Sequence, residues 1–120
     1  MSIAELKSRT FRFGAETVKL VAGLPPSGTA KTLGNQLIRS ATSVGANYRA
    51  ACRAKSRPDF ISKMKTVEEE CDETRYWLDL LIATDLLQPA KASNLVREGN
   101  EILAIVVASI KTARRMGNDE

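Results

Sequence analysis

The sequence has no histidine, and its 120 residues include only two cysteines, Cys52 and Cys71. Without histidine or any CxxC pair, the usual ligands of a zinc site are missing, and so is the commonest acid–base group. Four prolines and seven glycines are too few for a fold of many short strands and turns, so helix is favoured before any periodicity is read. Long apolar runs are missing too. The longest, residues 102–108, falls far short of the roughly 20 residues a membrane span needs. Glu5, Lys7, Arg9, Arg12 and Glu16 interrupt the first 22 residues and leave no signal-peptide core. These absences predict a cytoplasmic chain with reduced thiols, no membrane span, no metal and no cofactor.

What is present fits one globular domain over 1–120. The hydrophobic share is 43% and the charged share 27%, close to globular averages. Four amphipathic segments follow one another, and the spacing predicts helices over about 3–22, 29–55, 58–84 and 90–115. In the first, Phe11, Ala15, Val18 and Ala22 recur at helical steps and form the expected inward face. Pro25, Pro26 and Gly28 stop it. In the second, Leu33, Leu37, Ala41, Val44, Tyr48 and Cys52 form the inward stripe. Beside it runs a row of mostly small residues, Ala30, Gly34, Ile38, Ala41 and Gly45, which lets a neighbouring helix approach closely. The third carries Phe60, Met64, Val67, Cys71, Thr74, Leu78 and Leu81 inward, after a proline placed where a first turn accepts one. The fourth carries Leu95, Ile102, Val106, Ser109, Ile110 and Ala113, and residues 118–120 read as a frayed polar tail. Short connections make this an all-α, antiparallel up-down-up-down four-helix bundle.

That topology concentrates charge. The start of helix one, the end of two, the start of three and the end of four meet at one end of the bundle. Lys7, Arg9, Arg12, Arg49, Arg53, Lys55, Arg57, Lys63, Lys65, Lys111, Arg114 and Arg115 gather there, opposed by Glu5, Asp59, Asp119 and Glu120. Twelve cations against four carboxylates leave this end at +8 and the remainder at −4. Two readings compete. Cations at the ends of helices two and four offset helix dipoles, but those at the starts of one and three do not. Alternatively the basic end meets phosphate and gains affinity by counterion release. Beyond Phe11, Phe13 and Tyr48 few aromatics lie there, so base stacking is a weak prospect.

A polar constellation sits elsewhere. Ser40, Ser43 and Asn47 share one side of helix two with Arg39 nearby, and Glu70 and Glu73 lie one turn apart on helix three. Antiparallel pairing brings Arg39 near Glu70 or Glu73 as a partly buried, charge-assisted pair. Catalysis is disfavoured: Ser40 and Ser43 lie mid-helix with no histidine to activate them. The acids in 68–73 read as a solvated face and lack the Glu-x-x-His pairing of metal-holding bundles.

The stretch 36–81 resembles the bacterial four-helix bundle proteins known from open reading frames in intervening sequences of large-subunit ribosomal RNA genes. Arg39, Ser40, Ser43 and Asn47 match one element of that family. Phe60, Lys63, Glu70, Glu73, Thr74, Arg75, Tyr76, Trp77 and Leu78 match another. The resemblance implies homopentameric assembly. Through a relative, the accessory variability determinant of diversity-generating retroelements, it also implies nucleic acid and a reverse transcriptase as partners.

The expected function is a noncatalytic, oligomeric accessory protein that binds RNA or DNA through Arg49, Arg53, Lys55, Arg57, Lys63 and Lys65, supported by Arg114 and Arg115. Arg39, Ser40, Ser43, Asn47, Glu70 and Glu73 are expected to be structural. The rival expectation is a protein-interaction or structural homo-oligomeric module whose basic end docks an acidic protein.

Overall fold

The computed structural model describes residues 1–118 and contains four helices, α1 (Ile3–Ala22), α2 (Gly28–Ala51), α3 (Arg57–Ala83) and α4 (Pro89–Asn118). Serine hydroxyls cap the first three. Ser2 accepts from the Glu5 amide at 3.0 Å, Ser27 from Ala30 at 3.1 Å and Ser56 from Asp59 at 3.1 Å. Each satisfies one of the amides that a helix start leaves without a partner. Asp59 reaches back to the Lys55 amide at 3.0 Å, which closes the entry to α3.

Two boundaries differ from the sequence expectation. α2 ends at Ala51 rather than near residue 55, because the chain tightens into three-residue turns at Arg53 and Ala54 before Ser56 starts α3. Arg53 and Lys55 therefore sit on a connection, not a helix. α4 runs through Asn118, so Gly117 and Asn118 are helical, while 119–120 lie outside the described residues. Between α3 and α4, Asp85 adopts φ 61°. The Leu86 amide donates to Leu81 and the Asp85 amide to Ile82, a Schellman closure with aspartate where glycine is usual.

The helices form an antiparallel bundle with principal extents of 54 × 21 × 21 Å. α2 and α3 pack most extensively, followed by α1 with α2 and α3 with α4; α1 with α4 is the sparsest seam. The core holds Leu37, Ala41, Val44 and Tyr48 from α2, Met64, Val67, Cys71, Leu78 and Leu81 from α3, and Leu95, Ile102, Val106 and Ile110 from α4. Those are the stripes the periodicity predicts.

α1 is the exception. Its buried face is Leu6, Thr10, Phe13, Gly14 and Thr17, whereas Phe11 is 72% exposed and Val18 44%. The apolar stripe read from the sequence thus points largely to solvent. Threonine can occupy the inward face because each hydroxyl donates to a carbonyl one turn back, Thr10 to Leu6 at 2.9 Å and Thr17 to Phe13 at 2.8 Å. Paired in this way, a buried hydroxyl carries no large desolvation cost. The small residues of α2 do receive α1: a Cβ at Gly45 would lie 3.2 Å from the Thr10 carbonyl oxygen. No helix among the described residues is long and apolar enough to cross a membrane.

Candidate nucleic-acid interface

The antiparallel order brings the start of α1, the end of α4 and the α2–α3 connection to one end of the bundle. A cleft of about 440 Å³ there is lined by Leu6 of α1, Tyr48 and Cys52 at the end of α2, Lys55, Phe60 of α3 and Ile105 of α4. The last turn of α4 lies against the start of α3, since a Cβ at Gly117 would sit 3.4 Å from Cδ of Arg57. These helix ends therefore lie together.

The cations expected to contact phosphate divide into two groups. Arg49 on the last turn of α2, Arg53 and Lys55 on the connection, and Arg114 and Arg115 near the end of α4 are all exposed. None makes an ion pair among the described residues, although the Lys55 charge also acts on the Asp59 carboxyl. Lys63 instead holds Asp59 at 2.5 Å one turn before it, and Lys65 holds Glu68 at 3.7 Å. With Lys63 as its first cause and the Lys55 amide as its second, the Asp59 carboxyl is held below its ordinary value. Arg57 is half-buried, its stem against Gly117. Arg49 also faces a different groove, shared with Lys7 and Phe11 between α1 and α2.

Arg9 leaves the basic set altogether. Its guanidinium spans the α1–α4 seam, with Nε donating to Glu98 at 3.0 Å and Nη2 contacting both Glu98 and, at 2.8 Å, Glu101. That contact holds the Glu98 carboxyl below its ordinary value. A cation near a helix N-terminus, unexplained by dipoles, is thus explained by a cross-helix pair. Nothing in local spacing announces it, because the partners are 89 and 92 positions apart in the chain.

The polar constellation is also only partly brought together. Arg39 reaches both acids, Glu70 at 3.3 Å and Glu73 more closely, and the indole N–H of Trp77 donates to Glu73 at 3.2 Å. The Arg39 hydrogen bond, then that of Trp77, lowers the affinity of Glu73 for a proton. The pair is more open than expected: Arg39 is 48% exposed and Glu70 14%. Beneath it the buried hydroxyls of Ser40 and Thr74 lie 3.0 Å apart, linking α2 to α3 inside the core. Ser43 and Asn47 do not cross; each donates to its own helix, Ser43 to the Arg39 carbonyl at 2.7 Å and Asn47 to that of Ser43 at 2.8 Å.

A family model described as 23S rRNA-intervening sequence protein matches residues 4–108. The chain belongs to this family. The family match spans α1 from residue 4, all of α2 and α3 and most of α4, including the Arg39–Glu70–Glu73 cluster and the α2–α3 connection. Among solved structures, it is similar to a protein of unknown function from the S23 ribosomal protein family of Bacteroides thetaiotaomicron. The two are 33% identical over 92% of this chain and 99% of that one, with a TM-score of 0.86. No curated protein matches.

Proposed function

We propose that this protein is a noncatalytic, homo-oligomeric accessory protein of the bacterial cytoplasm. It binds RNA or DNA by holding the phosphate backbone against the basic end of the bundle. The observation that carries the reading is the cluster Arg49, Arg53, Lys55, Arg114 and Arg115, exposed at one end and making no ion pair among the described residues. Such cations displace counterions from a nucleic acid and bind it with little regard for sequence. Phe13 and Tyr48 are buried and Phe11 is exposed, which leaves one of the three aromatic rings expected there for stacking on bases.

The side-chain chemistry supports a noncatalytic role. Burial first, then the charges of Glu70 and Glu68, pushes the Cys71 thiol up to about 12. Burial, followed by a hydrogen bond with Cys52, raises Tyr48 above its ordinary value. Neither is a nucleophile at neutral pH, and the Ser40 and Ser43 hydroxyls are turned to backbone carbonyls of their own helix. Both cysteines are free thiols, as a reducing cytoplasm allows.

The test is fluorescence anisotropy of nuclease-treated protein with short RNA and DNA. The triple variant Arg49→Gln, Arg53→Gln, Lys55→Gln should bind at least about tenfold more weakly at low salt while keeping its circular dichroism. No binding by the wild-type chain at low salt would reject the reading and favour an acidic protein as the partner of the same end.

A further inference from the structure

The cleft at the end of the bundle opens onto the core. Two buried residues, Tyr48 of α2 and Met64 of α3, line it, and so do the half-buried Phe60 of α3 and Ile105 of α4. Its volume of about 440 Å³ lies within the roughly 300–1,000 Å³ of pockets that hold small molecules. All four helices contribute, so the cleft is a feature of the folded end and not of any one helix surface. Phe60 gives it an aromatic ring that packing leaves partly open.

The charge around the cleft has one sign. No carboxylate lines it, and its charged lining residue is the exposed Lys55. Arg53, also exposed, lies two residues earlier on the same connection, and α4 continues from the lining residue Ser109 to the exposed Arg114 and Arg115. An occupant that matches this place has an apolar, preferably flat, body and negative charge beside it. One nucleotide unit of a single strand has that form, a base with a π-face between two phosphates. A base pair does not fit the description, because a duplex keeps its bases stacked inside and turns phosphates outward.

We propose that the cleft takes one unstacked base of a single-stranded nucleic acid while the flanking phosphates lie against Arg53 and Lys55. The inference rests on the proposed binding of the phosphate backbone and deepens it by naming the form of the ligand. Phosphate contacts alone favour a duplex, whose charge density is higher. The cleft reverses that order, because only a single strand can place a base in it. Every base has a face that can stack on an aromatic ring, so insertion adds affinity without adding much sequence preference.

The test is anisotropy of the full chain with three labelled probes of about 12 nucleotides: a single DNA strand, the same strand with abasic sites in place of its bases, and the duplex. At about 200 mM salt, where phosphate contacts are weakened, the wild type should bind the single strand at least about fivefold more tightly than the abasic strand, the factor expected for one stacked base. It should also prefer the single strand to the duplex. Ala54→Leu and Ser109→Leu each add bulk at a residue lining the cleft. Either should abolish the preference for the base-bearing strand and leave abasic binding unchanged, and the second serves if the first loses its circular dichroism. Equal wild-type affinity for the base-bearing and abasic strands would overturn base insertion and leave backbone binding standing. A preference that survives in a folded cleft variant would overturn the assignment to this cleft. Failure to bind any of the three probes at low salt would overturn the proposed function as well.

Discussion

The salt dependence of nucleic-acid binding can be worked from the ion pairs. Five of the cations expected to contact phosphate, Arg49, Arg53, Lys55, Arg114 and Arg115, make no ion pair among the described residues, whereas Lys63 and Lys65 already hold Asp59 and Glu68. If those five each neutralise one phosphate, the logarithm of the binding constant falls with the logarithm of salt at a slope of about −4.5 on duplex DNA and about −3.5 on a single strand. Raising salt from about 50 to about 200 mM should then weaken binding by roughly 500-fold on duplex and roughly 130-fold on single strands. The assay is an anisotropy titration at five or more salt concentrations for each nucleic acid. Replacing Arg53 by glutamine should flatten the duplex slope by about 0.9. Replacing Lys63 by glutamine should flatten it by much less, because that ammonium is occupied by Asp59. A wild-type slope shallower than about −2, or equal effects of the two variants, would refute the assignment of free and occupied cations.

Other consequences concern the fold. Gly45→Ala drives a Cβ to 3.2 Å from the Thr10 carbonyl oxygen, whereas Gly14→Ala meets Thr42 Cα at an ordinary 3.5 Å. Each gains about 1 kcal/mol of helix propensity, but the first also carries an overpacking cost of about 1–3 kcal/mol. Thermal melts should therefore rank Gly14→Ala above the parent and Gly45→Ala below it; the reverse order would show that α1 gives way. Asp85→Gly relieves the positive φ at the α3–α4 turn and should raise stability by about 0.5–1 kcal/mol, or roughly 2–4 °C in Tm. No gain would mean that the Asp85 side chain offsets its backbone cost.

Acid stability tests the α1–α4 seam. Arg9 holds the Glu98 carboxyl below its ordinary value, so the folded protein takes up that proton less readily than the unfolded chain. The stabilisation is complete above the unfolded glutamate value, about 4.3, and is lost as pH falls through the lower folded value. Glu98→Gln should be less stable than the parent at pH 7, and the two unfolding curves should converge below about pH 4. A constant gap across that range would assign the effect to packing instead.

Three of the four helices were legible because their inward residues are apolar at a 3.6-residue period, from Leu37 through Tyr48, Met64 through Leu81 and Leu95 through Ile110. α1 misled because hydropathy treats Thr10 and Thr17 as outward residues, whereas in a helix their hydroxyls bond the preceding turn and leave a methyl to pack. The groove went unread for the same reason. The end of α2 was set by how tightly the connection to Ser56 turns, which the uninterrupted pattern from Tyr48 to Lys55 conceals. At the basic end, position followed from topology alone, but availability did not. Arg9 and Lys63 carry the same formal charge as Arg53, and only the folded chain distinguishes those engaged with carboxylates from those left open.

The seam between α1 and α4 sets a delay during synthesis. Every other close pairing joins helices adjacent in the chain, so α1, α2 and α3 can pack as they emerge, with contacts of short sequence separation. Phe13, however, is covered by Gly99, and Arg9 finds its acids only at Glu98 and Glu101. At about 5–20 residues per second those partners reach the ribosome exit roughly 4–15 s after α1 is complete. Through that interval Phe13 and Arg9 of α1 await their cover, a smaller apolar surface than a stripe of leucines would leave open.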